Sequence, residues 1–167
     1  MLEAHQFIDH SHRPAKYTVE LTFDDRQKSR HKAMTQCGEP VGWFIERGHV
    51  LKDGDFLVAT NGELIKVVAA QEIVSTVYAK TALELTRAAY HLGNRHVPLQ
   101  ITNEYLRYQH DHVLDEMIIG LGLHVECESA PFQPEPGAYA KGYAHGYSHD
   151  HSHGHGHGHD HAHSHDH

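Results

Sequence analysis

Glu72-Ile73-Val74-Ser75-Thr76-Val77-Tyr78-Ala79, followed by Thr81-Ala82-Leu83-Glu84-Leu85-Thr86-Arg87-Ala88-Ala89-Tyr90-His91-Leu92-Gly93, is where the chain changes rhythm. The first run carries Ile73, Val74 and Val77 and reads as a strand. In the second, Ala82, Leu85, Ala89 and Leu92 recur at spacings of three and four, the period of a helix, and Gly93 is placed to stop it. Val97 to Thr102 and Tyr105 to Gln109 then read as two short strands around a polar turn at Asn103-Glu104. Asp111 suits the N-cap of a second helix that buries Val113, Leu114, Met117, Ile118 and Leu121 and ends at Gly122. A last strand from His124 to Ser129 gives the order β-α-β-β-α-β, the ferredoxin-like arrangement of an antiparallel sheet with two helices on one face.

Upstream the pattern is strand-like. Tyr17, Val19, Leu21 and Phe23 alternate with polar residues until Asp24-Asp25, and Val41-Gly42-Trp43-Phe44-Ile45 is a short apolar run closed by Gly48. Phe56 to Ala59 and Leu64 to Val68 flank Asn61-Gly62, a hairpin signal because both residues accept positive φ. No helical period is evident before residue 70. Downstream, Pro131, Pro134, Pro136 and Gly137 lead into a run of Gly, Ala, Tyr, Ser and His too polar to fold. The fold class predicted is therefore α+β: a small all-β domain over 1–70, a ferredoxin-like domain over 71–137, and a disordered His-rich tail over 138–167.

Charge and composition exclude several functions. With 14 Lys+Arg against 22 Asp+Glu, the net charge is -8, so the basic footprint of a nucleic-acid or anionic-membrane binder is missing. Met1 to Arg13 lacks the apolar run of a secretory signal, and no stretch approaches the ~20 apolar residues of a spanning helix, so a cytoplasmic protein is expected. Cys37 and Cys127 have no partner spacing and read as buried small hydrophobes in a reducing compartment.

Histidine is the anomaly. Of 21, ten lie between His5 and His124 and eleven between His145 and His167. The tail donors are His145, His149, His151, His153, His155, His157, His159, His161, His163, His165 and His167, the last ten at every second position. Neutral imidazole suits Ni2+, Zn2+ and Cu2+, and small spacers let a chain wrap several nitrogens round one ion. A purification tag normally has consecutive histidines; this run is interleaved with variable small residues. Because Cu2+ outcompetes Ni2+ at most nitrogen sites, the tail does not identify its own metal.

Two further places carry candidate ligands. His110-Asp111-His112 stands where a strand meets a helix; an extended backbone puts the two histidines on one side about 7 Å apart, within reach of one ion. The alternative is a pair of surface histidines with Asp111 as helix cap. His96 lies in the loop after Gly93 and supplies one ligand from one chain, two from a two-fold dimer. His5, His10, His12, His31, His49 and His124 read as surface or satisfied positions, and His10-Ser11-His12 as lying before any regular element. No HExxH, GxSxG, phosphate-binding loop or dinucleotide fingerprint is present, and no general base for a metal-dependent hydrolase is identifiable, so an enzyme is not expected.

The run Leu85 to His96, the following Leu99-Gln100, and Ala130-Pro131-Phe132-Gln133-Pro134-Glu135 with Gly137-Ala138-Tyr139 closely resemble the UreE family of urease accessory proteins, nickel metallochaperones of urease maturation. Lys28-Ser29-Arg30 and Val41 to Gly48 share the likeness, which covers residues 1 to 140. The resemblance implies an N-terminal domain that meets protein partners, and a homodimer in which His96 of both protomers binds Ni2+ at the interface. It further implies additional metal sites at His110 and His112, and as partners a maturation GTPase and the complex of apo-urease with its other accessory proteins. A storage or buffering protein acting through its tail is the alternative.

Overall fold

The computed structural model describes residues 1–138. The first half forms β1 (Leu2–Ile8), β2 (Tyr17–Leu21), α1 (Phe23–Arg26), β3 (Arg30–Met34), β4 (Pro40–Phe44), β5 (Phe56–Ala59) and β6 (Leu64–Ala69). These strands build one barrel-like sheet of order β2-β6-β5-β1-β4-β3, with β1 parallel to β4 and β2 parallel to β6. The end strands approach each other through the loop after β3, where Gln36 N–H donates to Thr18 O at 2.8 Å. Alternation turns Leu2, Ala4, Val19, Leu21, Val41, Trp43, Leu57, Ile65 and Val67 into a single core. Trp43, fully enclosed, keeps its indole N–H satisfied by Lys28 O at 3.0 Å.

A helical turn does occur: Phe23 opens α1 instead of continuing β2, because the Thr22 hydroxyl accepts Asp25 N–H at 3.3 Å and Asp24 and Asp25 favour the positive end of a helix. Strand β1 precedes His10-Ser11-His12, which therefore does not lie before any regular element. Its apolar signal was thin, since Ala4 is one of its two buried residues. In the β5–β6 hairpin only Gly62 takes positive φ, +86°. Asn61 instead accepts Glu63 N–H through its side chain at 3.1 Å. Both cysteines are exposed, Cys37 in the turn after β3 and Cys127 on an edge strand of the second sheet. The Thr35 hydroxyl beside Cys37 lowers the pKa of its thiol.

The second half runs β7 (Gln71–Tyr78), α2 (Ala82–Gly93), β8 (Gln100–Ile101), β9 (Tyr105–Gln109), α3 (His112–Gly120) and β10 (His124–Pro131). Its antiparallel sheet has the order β10-β7-β9-β8. Val77, Leu106 and Tyr108 of the sheet pack with Ala88 and Leu92 of α2 and Leu114 and Ile118 of α3. Val113, expected inside, is 53% exposed, because the buried stripe of α3 runs through Leu114 and Ile118 instead. The strand expected over 97–102 contracts to two residues, behind a Pro98 that has no N–H to give a ladder. Gly93 is the last residue of α2 rather than its stop, and Asn94 caps it in a right-handed conformation. α3 ends as expected near Gly122, whose φ is +80°. There Gly122 N–H meets Ile119 O at 2.9 Å and Leu123 N–H meets Ile118 O at 3.2 Å, the paired bonds of a Schellman cap. No helix among the described residues is long and apolar enough to cross a membrane.

The two sheets are joined by α1 and the segment after β10. Phe23, Val74, Ala130 and Phe132 make a small cluster, with the Phe23 and Phe132 rings edge to face at 5.5 Å. Arg26 is buried at 1% exposure, and its guanidinium donates to the carbonyls of Leu21 (3.3 Å), Leu51 (3.1 Å) and Phe132. Burial pulls its pKa below the ordinary value. Phe23 N–H to Glu72 at 2.8 Å and Asp53 N–H to Gln133 at 3.0 Å complete the joint.

Candidate metal centre

His96 stands three residues beyond α2. Successive bonds from Asn94 N–H to Tyr90 O, Arg95 N–H to Leu92 O and His96 N–H to Gly93 O, each 3.1 Å, tighten the chain and leave His96 with φ of +54°. It is the one non-glycine residue in the left-handed region among the described residues. A side chain there meets its own backbone, so the conformation persists only where the surroundings impose it. The imidazole is exposed at the wall of a cleft of about 570 Å³ at the joint between the sheets. Arg26, Lys52, Gln133 and Glu135 line the same cleft. Glu135 N–H donates to Leu99 O at 2.7 Å and so lays Pro134 to Gly137 along the cleft, immediately before the last described residue, Ala138.

His110 follows β9. Its Nδ1 lies 3.1 Å from Ser75 Oγ and 3.3 Å from Asp115 Oδ2, which holds the ring by that nitrogen and leaves Nε2 without a hydrogen bond among the described residues. The other Asp115 oxygen accepts the Tyr108 hydroxyl. Burial and then Asp115 push the Tyr108 pKa well above its usual value, so the phenol stays a donor. Asp111 caps α3 by accepting Val113 N–H at 2.9 Å and Leu114 N–H at 3.2 Å. Its backbone is extended (φ -150°, ψ 114°), the conformation that the alternation of His110 and His112 requires. His112 is the exposed first residue of α3.

The two places are neighbours: Val97 and Pro98, next to His96, also wall a smaller hollow of about 260 Å³ that contains His110 and Asp111. Among the described residues, however, no three His, Cys, Asp or Glu side chains converge to hold an ion. One chain thus offers separate exposed imidazoles rather than a closed cage. The tail histidines, His145 to His167, lie outside the described residues. Ser75, Tyr108 and Asp115, which orient His110, were not singled out as ligand supports from sequence. The one available signal was Asp115, a turn beyond a helix cap whose neighbour is histidine.

The family model described as "UreE urease accessory protein, N-terminal domain" matches residues 1–70, and that described as "UreE urease accessory protein, C-terminal domain" matches 72–167. A "Urease accessory protein UreE" of Saccharophagus degradans is 56% identical over 142 residues, covering 83% of this chain and 84% of the relative. The protein of that name from Teredinibacter turnerae is 60% identical over 121 residues, 72% of this chain and 79% of the relative. That from Vibrio parahaemolyticus is 56% identical over 119 residues, 71% and 75% respectively.

Proposed function

The chain belongs to the UreE family of urease accessory proteins, and from that premise we propose that it binds Ni2+ and delivers it to apo-urease during assembly of the urease metallocentre. In this reading the second half is a ferredoxin-like metal-binding domain. The protein is a cytoplasmic homodimer, and its partners are the maturation GTPase and the complex of apo-urease with its other accessory proteins.

The observation that carries the reading is His96: an exposed imidazole kept at an unfavourable φ, on the wall of a cleft that the chain crosses just before the His-rich tail. His96 from two protomers supplies two nitrogens to one ion, and His110 and His112 form additional metal sites. A shared, incomplete site suits a carrier, because a partner can displace its ligands stepwise. The tail histidines collect ions at high local concentration and pass them on within the molecule. From Gly137 to His145 an extended chain spans at most about 28 Å, so the first tail imidazole is within reach of the cleft. Protons compete with metal for imidazole nitrogen, so lowering the pH releases tail-bound metal. Zn2+ and Cu2+ meet the same donors.

Activation of apo-urease by nickel-loaded protein tests the proposal. His96→Ala should lower activation more than deletion of residues 144–167. The reverse ranking would favour storage through the tail, a second reading supported by eleven histidines in the tail against no three-donor cluster in the described residues.

A further inference from the structure

The loop between β1 and β2 holds His10-Ser11-His12, to which the nickel reading gives no role. Ser11 closes this loop: its hydroxyl donates to Arg13 O at 3.3 Å and accepts Arg13 N–H at 3.1 Å. The Arg13 guanidinium then reaches Gly62 O at 3.3 Å and ties the loop to the β5–β6 turn. In the closed loop the His10 and His12 rings stand together, centres 4.8 Å apart and planes at 84°. Both are exposed, and among the described residues they are the only histidine rings in contact with each other. Neither ring has a protein hydrogen bond among the described residues, so their nitrogens are available.

The separation is that of an ordinary edge-to-face pair and also suits shared ligation. With metal–nitrogen bonds of about 2.1 Å an imidazole centre lies about 3.2 Å from its ion, so two rings at right-angle to tetrahedral ligation stand about 4.5 to 5.2 Å apart. The observed 4.8 Å lies inside that span. Exposed side-chain torsions let the nitrogens turn onto a common ion without disturbing the core. Asp9, exposed and adjacent in the chain, adds negative charge that favours a cation. We propose that His10 and His12 form a bis-imidazole site for a borderline divalent cation, Cu2+ ahead of Ni2+ and Zn2+, with water in the remaining positions. No third protein donor completes it among the described residues, so the site is open and exchanges its ion readily. It belongs to the first sheet and stands independently of nickel binding at His96.

The test is Cu2+ titration of the full chain observed by amide NMR, since the paramagnetic ion broadens only nearby signals. The amides of Ser11, His12 and Arg13 should be lost once the tail is loaded. In His10→Ala and in His12→Ala the remaining loop signals should survive the same addition; both residues lie in an exposed loop, so the fold is kept. In His96→Ala the loss should be as in the parent chain. Loop signals that stay sharp in the parent chain at saturating Cu2+ would overturn the proposal. So would broadening that persists in both single variants, as from an ion carried past by the tail, or broadening that disappears in His96→Ala.

Discussion

Replacing His96 by glycine should stabilise the metal-free protein relative to replacing it by alanine, although both changes remove the imidazole. The left-handed φ of +54° costs an L-residue about 1–2 kcal/mol, because Cβ crowds the following carbonyl. Alanine retains Cβ and therefore the cost. Glycine escapes it but gives back about 0.4–1 kcal/mol through the greater freedom of its unfolded chain. The balance leaves His96→Gly about 0.5–1 kcal/mol more stable than His96→Ala, equivalent to roughly 1–4 °C in Tm for a chain of this length. The side chain is exposed, so lost packing does not blur the comparison. Thermal unfolding in the presence of a chelator reads stability, and dialysis against Ni2+ reads binding; both variants should bind less metal. A glycine variant no more stable than the alanine variant would refute the argument that His96 is held in strain for its function.

Arg26→Met removes three charge-assisted hydrogen bonds at the joint between the sheets, and should cost about 3–5 kcal/mol in urea unfolding; a cost below about 1 kcal/mol would contradict the role given to it. Asp111→Ala strips the cap from α3 and should cost about 1–2 kcal/mol, with Asp111→Asn recovering most of the loss, and equal losses would speak against capping. Burial holds the Asp55 carboxyl above its ordinary range, so the folded state binds this proton more tightly than the unfolded chain. Its stabilising contribution is full below the unfolded value near 3.8 and is lost as pH rises through the raised folded value. Asp55→Asn should remove that limb from the stability–pH curve; an unchanged limb would assign it to another group.

Much of the second half was legible because its signals are local. The period of α2 marks that helix, the Asp111 cap and Gly122 fix the two ends of α3 through local hydrogen bonds, and the βαββαβ order follows from them. The first half was less legible. β1 presents small Ala4 to the core, and β3, with the polar sequence Arg30-His31-Lys32, is an edge strand whose pairing only the sheet as a whole decides. Thr22 looked like part of a strand because a cap and an alternating polar residue are the same letter; the hydrogen bond to Asp25 N–H distinguishes them. At the candidate centre, His96 and the His110–His112 pair were visible as residues, whereas their settings were not. The left-handed φ arises from tightening after α2, and the orientation of His110 arises from Ser75 on another strand. Neither is encoded in a spacing.

The most direct test of nickel carriage is equilibrium dialysis against Ni2+, with mass determined in parallel, on a chain ending at Tyr143 and on the same chain with His96→Ala. One tightly held ion per two chains is expected in the first and none in the second. Absence of a tight ion in the first chain would contradict the proposal, since the metal would then belong to the tail alone.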